Sequence, residues 1–215
     1  KWGDEKKLEK DPIKHLLEVY VKFHSEAEIN PELEDEARAE FKKMENGDKE
    51  SLSQWEIFKE LSLEEFKKYY GMMNIDFDSW DGESFYNDKM EDAIKELEKN
   101  VKTELSEGAL IVNLEEYGMT PFMLRKSDGA TTYHTRDLAA ALYRLKKYKA
   151  DELLYVVGSP QKLHFDQLFK VLELKGHSNK LVHVDFGHFK GLSTRKGNIV
   201  FLEEVLDKAI ELAKK

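Results

Sequence analysis

Two glycines enclose a short segment that carries two hydroxyl groups and two cations. It reads GLSTRKGN over residues 191–198, after the apolar run LVHVDF and before an amphipathic run. The hydroxyls of Ser193 and Thr194 can donate hydrogen bonds, and the side chains of Arg195 and Lys196 add positive charge. These groups on a flexible loop suit a lid over a triphosphate, although a P-loop differs because its Lys follows the second glycine. A solvated basic turn is the alternative that this segment alone leaves open.

A second polar segment follows the apolar run LLYVV and reads GSPQKLH. Gly and Pro let the backbone leave a sheet there, and Gln161 and His164 then lie three residues apart, about one helical turn. The amide of Gln161 offers a ligand both a donor and an acceptor, and the imidazole of His164 can hold a phosphate or a ribose. The alternative is a capped helix start with a surface histidine.

A third segment, TTYHTRDLAAA, places Tyr133 and Asp137 four residues apart, which is one face of a helix. An aromatic face beside a carboxylate suits a planar cation such as guanidinium, which can stack on the ring and bind the acid through two hydrogen bonds. The alternative is that Asp137 caps a helix or pairs with Arg136 or Arg144.

The elements around these segments alternate from residue 131 onwards. Helix, strand, helix, strand and helix follow in order, which indicates crossover units and a parallel sheet covered on both faces. Ligands of open parallel sheets bind at the carboxyl ends of the strands, where the second and first segments lie. Two strands are too few for a complete doubly wound sheet, so we predict an α/β fold with an incomplete parallel sheet. The missing strands come from the front of the chain, from another chain or from absent sequence, and absent sequence is favoured because the front is helical. An N-terminal Lys in place of Met also indicates a piece of a longer chain, with processing as the alternative.

The front of the chain has a different residue pattern from the alternating region after residue 131. Apolar stripes predict helices over residues 12–70, and Ser62 with Glu65 predicts a capping box that starts a separate helix. NIDFDSWDGESF is interpreted as strand and loop, and Asn87 as the cap of the next helix. GALIVNL and PFMLRK predict two short strands.

The amino-acid composition excludes several classes of protein and site. The 215 residues contain no cysteine, which excludes disulfides, zinc–thiolate sites and iron–sulfur clusters. No apolar run reaches the roughly 20 residues of a membrane span, and the polar start KWGDEKKLEKD is unlike a signal peptide. The net charge is −9, yet residues 122–215 carry 17 bases against 11 acids. A basic half suits anionic ligands, with chance drift of surface charge as the alternative.

Taken together and in order, the segments resemble the arginyl-tRNA synthetases. The resemblance rests on SDGATTYHTRDLAAALYR, LYVVGSPQKLHFDQLF and HVDFGHFKGLSTRKGNIVFLEEVLD, with FDSWDGESFYNDKM and SEGALIVNLEEYGMTPFMLRKSDG before them. It implies a class I nucleotide-binding sheet, of which residues 131–215 form the second half, preceded by a mainly helical insertion region over residues 1–130. It also implies ATP-dependent activation of arginine with Mg²⁺, transfer to tRNA(Arg), and a monomeric cytoplasmic enzyme without membrane association.

The resemblance also implies roles for single residues. GLSTRKGN matches the family's KMSKS-type loop, with Thr194 where many class I enzymes have a phosphate-binding Lys, so Arg195, Lys196 or a residue elsewhere would supply that charge. The implied arginine pocket consists of Tyr133, Asp137 and Gln161. The implied catalytic residues are Ser193, Thr194, Arg195 and Lys196, and the implied ATP contacts are His164, Gly191, Leu192, Ser193, Arg195 and Lys196. No residue is implied as a metal ligand.

One family motif is missing from the sequence. No H-x-G-H occurs, and His15 and His24 lie in a helical stripe instead. We therefore expect the chain alone to lack aminoacylation activity. A non-catalytic, synthetase-derived module that binds a nucleotide or tRNA is the alternative, and an unrelated α/β nucleotidyl transferase is disfavoured by the motif order.

Overall fold

The computed structural model describes residues 1–177, 180–187 and 191–215. The chain divides into two compact units, one formed by Lys1–Asp78 with Phe189–Lys215 and the other by Ser79–His188. The predicted division between residues 130 and 131 refers to the family's organisation and stays a prediction. Residues 188–190, which precede the GLSTRKGN segment, lie outside the described residues.

Four helices form the front of the first unit; three of them lie where the apolar stripes predict helices, and a short unpredicted helix precedes them. Asp11 caps the second of them, since its side chain accepts a hydrogen bond from the backbone N–H of Lys14 at 3.3 Å. Proline at the first helical position fits this start, because its missing N–H would have no helical partner. The four helices are α1 (Glu5–Lys10), α2 (Pro12–Ile29), α3 (Glu32–Glu45) and α4 (Lys49–Met72).

The capping box predicted at Ser62 is wrong. Helix α4 continues through this position for 24 residues without a break. The hydroxyl of Ser62 donates to the backbone carbonyl of Phe58, four residues back, at 2.7 Å. A serine inside a helix can satisfy its hydroxyl in this way, so the same residue pattern does not start a new helix.

NIDFDSWDGESF, predicted as strand and loop, contains no strand: it is a loop that leads into a 3₁₀ helix. A 3₁₀ helix spans Glu83–Lys89, and α5 (Met90–Glu98) follows directly. Asn87 is not the cap of α5, because Lys89 occupies that position and the Asn87 side-chain oxygen accepts from Arg136 at 3.1 Å. The prediction failed because a distant arginine takes the oxygen that a cap would use.

An antiparallel sheet of three strands comes next. The two predicted strands are confirmed as β2 (Ala109–Val112) and β3 (Phe122–Arg125), and β2 pairs with both neighbours. The third strand, β1 (Glu104–Ser106), was not predicted, because three residues are too short for a period-two pattern.

The predicted alternation of helices and strands is confirmed in the second unit. In order come α6 (Tyr133–Tyr148), β4 (Glu152–Gly158), α7 (Lys162–Leu174) and β5 (Lys180–Phe186). Strands β4 and β5 are parallel and in register over their whole length. The core of this unit joins α5, α6, α7 and β3, and its fully buried side chains include Leu97, Phe122, Leu138 and Leu168. The predicted fold class, α/β with an incomplete parallel sheet, is confirmed.

The two faces of the β4–β5 pair differ. Tyr155, paired with His183, is buried on the face that carries the rings of Phe165 and Phe169 from α7. The opposite face is apolar and exposed, with 59% of Leu154, 67% of Val156, 41% of Val184 and 51% of Phe186 accessible. The predicted cover on both faces of the sheet is therefore wrong for the described residues.

The last helix of the first unit is α8 (Leu202–Ala213), close to the predicted start at Phe201. Among the helices of the described ranges, none has both the length and the apolar character that a bilayer crossing requires.

Candidate functional site

The carboxyl ends of β4 and β5 are held together by a serine. The hydroxyl of Ser159, just after β4, donates to the carbonyl of Phe186, the last residue of β5, at 2.9 Å. Ser159–Gln161 forms a single 3₁₀ turn, so the chain passes from β4 directly into α7. Gln161 is therefore the residue preceding α7, and its side chain is exposed. The strand ends thus lie at the start of the helix that carries His164.

The start of α6 is fixed to β3 by two threonines. Thr132 and Thr135 form a reciprocal capping box, which satisfies backbone groups at the start of the helix. The Thr135 hydroxyl donates to the carbonyl of Leu124 at 2.5 Å, and the Thr132 hydroxyl donates to the carbonyl of Met123 at 2.9 Å. Tyr133, the first residue of α6, and the side chains one turn later are therefore placed by contacts to the neighbouring sheet.

Asp137 meets His164 across the two helices. Asp137 Oδ2 lies 2.7 Å from Nε2 of His164, which joins α6 to the first turn of α7. The His164 side chain is 6% exposed, whereas that of Asp137 is 36% exposed, so the pair runs from the interior to the surface. His164 is therefore not a surface histidine at a capped helix start.

Asp137 does not act as a helix cap, because Thr132 caps α6. The two nearby arginines that could have paired with it make different contacts. Arg136 pairs with Glu83 at 3.2 Å. The guanidinium of Arg144 lies over the rings of Tyr86 and Tyr155, at 5.5 and 5.7 Å from their centres. The alternative of a cap, or of a pair with Arg136 or Arg144, is therefore wrong.

Aromatic rings surround this Asp137–His164 pair. The ring of Tyr133 stacks on that of His134 with 4.0 Å between centres, and its centre lies 5.0 Å from that of His164. His134 also contacts His164 and Phe122 edge to face, at 4.9 and 5.0 Å. Tyr133 nevertheless keeps 55% of its surface exposed. We call Tyr133, His134, Asp137 and His164 the α6–α7 cluster; it presents an aromatic face and a carboxylate together.

Sequence reasoning missed His134. Neighbouring residues of a helix do not ordinarily face each other, so nothing in the spacing indicates that Tyr133 and His134 stack. The pKa of His134 is lowered from its ordinary 6.5 to about 4, mainly by burial and also by the neighbouring His164, while Asp137 opposes the shift. His134 is therefore uncharged near neutral pH and adds no cation to the cluster.

The pH dependence of stability should report this histidine. In the unfolded chain His134 takes up a proton near pH 6.5, and in the folded chain only near pH 4. Between these values the unfolded state binds more protons, so stability falls as the pH falls through this window. Between pH 7 and pH 4.5, we expect the free energy of unfolding of His134→Phe to fall by about 1–2 kcal/mol less than that of the native chain. The difference is smaller than the full pKa shift implies, because the ring is partly exposed. Urea unfolding of both proteins measures the difference, and parallel losses would contradict the assignment.

The GLSTRKGN segment belongs to the first unit and is an ordered loop. The backbone N–H of Ser193 donates to the carbonyl of Asn198 at 2.8 Å, and the N–H of Asn198 donates back at 3.1 Å. Between them Thr194–Lys196 forms a 3₁₀ turn, and Gly197 has the positive φ of 68° that favours glycine. A Cβ on Gly197 would lie 3.3 Å from the side chain of Val21 on α2, so the loop rests against that helix. Arg195 and Lys196 are exposed, as both a lid and a solvated basic turn require.

No ligand set for a metal ion is found in the part of the chain that the structure describes. There, no three or more His, Asp or Glu side chains converge as a metal site needs.

The structure brings together three of the predicted site residues, Tyr133, Asp137 and His164, and places Gln161 at the start of the same helix as His164. The remaining predicted residues share one loop of the first unit: Gly191, Leu192, Ser193, Thr194, Arg195 and Lys196.

Comparisons with known proteins identify the family of the chain. A family model described as "tRNA synthetases class I (R), catalytic domain" matches residues 1–215. The arginine–tRNA ligase of Clostridium perfringens is 57% identical over 218 residues, and that of Halothermothrix orenii is 53% identical over 220 residues. These matches cover 98% and 100% of this chain but only 38% and 39% of the relatives, so the chain spans well under half of their length.

A solved structure gives the same result for the fold. The arginyl-tRNA synthetase of Plasmodium falciparum matches with a TM-score of 0.71 and 27% identity, over 87% of this chain and 32% of that one. The resemblance seen in the sequence motifs is thus confirmed over the whole chain. The chain belongs to the arginine branch of the class I tRNA synthetase family, within its catalytic domain.

Proposed function

We propose that this chain supplies the arginine pocket and the KMSKS-type loop of an arginine–tRNA ligase. The observation that carries the proposal is the α6–α7 cluster, in which the carboxylate of Asp137 and the exposed ring of Tyr133 both contact the ring of His164. A guanidinium group is planar, always charged and rich in N–H donors, so it fits a carboxylate next to an aromatic face better than an ammonium does. The substrate of the pocket is therefore arginine.

Each pocket residue has a distinct part in this proposal. The ring of Tyr133 supports the guanidinium plane from one side, and Asp137 accepts its N–H groups and neutralises its charge. The exposed amide of Gln161 at the start of α7 adds a donor and an acceptor for the arginine side chain. The nucleotide contact predicted for His164 stays a prediction, since its ring is buried against Asp137.

The loop would act on the triphosphate. In adenylate formation an oxygen of the arginine carboxylate attacks the α-phosphorus of ATP, a new O–P bond forms, and the bond to pyrophosphate breaks. Positioning and stabilisation of the spreading negative charge suffice for this step. Ser193 and Thr194 would donate hydrogen bonds to phosphate oxygens, and the exposed cations of Arg195 and Lys196 would offset their charge. Backbone N–H groups at Gly191 and Leu192 complete the ATP contacts that we propose.

The remaining properties that we propose rest on family membership. They are tRNA(Arg) as the acceptor of the arginyl group, Mg²⁺ carried on the ATP phosphates, a cytoplasmic location and a monomeric enzyme.

Calorimetric titration of the chain with arginine, citrulline and lysine tests the pocket. Citrulline keeps the shape of arginine but has no charge, and lysine keeps the charge but has no planar fork. We expect saturable binding of arginine, and binding of the two analogues weaker by about 100-fold or more, because each leaves a pocket group unpaired. Absence of arginine binding, or equal affinity for citrulline, would overturn the proposed function.

A further inference from the structure

His164 has one strong polar contact and one nitrogen with none. Its Nε2 lies 2.7 Å from Oδ2 of Asp137. Its Nδ1 is buried, and no hydrogen-bond partner for it is found among the described residues. A carboxylate only accepts hydrogen bonds, so the geometry assigns a proton to Nε2. A proton on Nδ1 would be a buried donor without an acceptor, which is costly, so the Nε2–H tautomer is favoured.

Rings fix the orientation of this imidazole. The centres of the Tyr133, His134 and Phe165 rings lie 5.0, 4.9 and 5.1 Å from that of His164. With three rings around it and 6% of its side chain exposed, His164 has little freedom to turn. Its Nε2–H therefore points towards Asp137 before any ligand arrives.

Asp137 needs such a partner. Its side chain is 36% exposed, and a carboxylate at a helix surface can rotate about its two side-chain torsions. A planar ligand with several N–H donors is bound well only when the carboxylate plane is already oriented, since holding it costs entropy otherwise. Among the described residues, one hydrogen bond to the Asp137 carboxylate is found, and His164 donates it.

We propose that His164 is a positioning residue for arginine recognition, which holds Oδ2 of Asp137 through Nε2–H and leaves the rest of the carboxylate to a guanidinium beside Tyr133. This inference rests on the proposed function. It gives His164 a role at the amino acid rather than at the nucleotide.

Two substitutions of His164 separate positioning from packing. His164→Gln places an amide N–H near the position of Nε2, whereas His164→Leu fills similar space without a donor. We expect His164→Leu to weaken arginine binding by about 10-fold or more, and His164→Gln to recover most of that loss. His177→Leu is the matched control, because His177 also has a buried ring nitrogen without a partner but lies beyond the other end of α7. ATP affinity should be the same in all three variants.

A spectroscopic measurement tests the geometry without any ligand. Long-range ¹H–¹⁵N spectra distinguish the two imidazole tautomers, and we expect the Nε2–H form for His164 in the native chain. In Asp137→Ala this preference should be lost, because the acceptor of that hydrogen bond is gone.

The outcomes that overturn the inference are distinct. An Nδ1–H tautomer, or a tautomer unchanged by Asp137→Ala, would show that the pair does not hold. Equal loss of arginine binding in the Gln and Leu variants would show that His164 has a packing role. Loss of ATP binding alone would show that His164 contacts the nucleotide instead. A native chain that binds no arginine but keeps the Asp137-dependent tautomer would refute the proposed function and the recognition role, while the pair itself would stand.

Discussion

Replacing Asp137 with Ala is expected to lower the affinity for arginine by at least about 100-fold, the largest effect that we expect on ligand binding. The variant removes the anion that neutralises the guanidinium. A cation that loses its hydration in a partly buried pocket without an anionic partner is bound unfavourably. It also leaves the buried Nε2–H of His164 without its acceptor at 2.7 Å. Asp137→Asn keeps an acceptor but loses the charge, so its affinity should fall between those of the native chain and the Ala variant.

Calorimetric titration with arginine measures both variants. Asp166→Ala is the matched control, because Asp166 lies on α7 of the same unit and pairs only with the exposed Lys162 at 3.2 Å among the described residues. We expect this control to bind arginine like the native chain. Native affinity in Asp137→Ala would show that the pocket is assigned to the wrong residues.

Replacing Thr135 with Val is expected to lower the free energy of unfolding by about 2–4 kcal/mol. Valine has nearly the same shape, so packing is retained while the hydroxyl is lost. Thr135 is fully buried, and its hydroxyl donates to the Leu124 carbonyl at 2.5 Å and accepts from the Thr132 N–H at 3.3 Å. The variant therefore removes the hydroxyl partner of two backbone groups at a position that is closed to water.

Urea unfolding followed by circular dichroism measures this loss. Thr103→Val is the control, since the Thr103 hydroxyl donates to Glu98 at the surface and its loss should cost less than about 0.5 kcal/mol. If Thr135→Val is as mild as this control, the hydroxyl does not fix the start of α6. Arginine binding by the variant is informative as well, because the same turn places Tyr133.

The parts of the fold that could be predicted are those set by local pattern. Period and length identify α6, β4, α7 and β5, because each combines an apolar run with a clear start or stop signal. The failures occur where a polar group has two possible partners. Ser62 bonds back into α4, and Asn87 bonds to Arg136 from a distant part of the chain. The partner of Asn87 lies 49 residues away along the chain, so no local pattern indicates it.

The candidate site follows the same division. The four-residue spacing of Tyr133 and Asp137 predicts one helix face, and both lie on α6 as expected. The pairing of Asp137 with His164 joins residues 27 positions apart. It depends on how α6 packs against α7, which no periodicity within either helix determines. The stacking of Tyr133 on His134 is likewise a product of packing around the helix start.

The exposed apolar face of the β4–β5 pair has a consequence for handling the chain. In the described residues each strand pairs only with the other, so the face formed by Leu154, Val156, Val184 and Phe186 adjoins open strand edges. Such a surface can template contact with another copy as concentration rises. Sulfate and other kosmotropic salts strengthen apolar association, so they will favour precipitation of this chain. Dilute protein in a chloride buffer of modest ionic strength is therefore the suitable medium for the titrations.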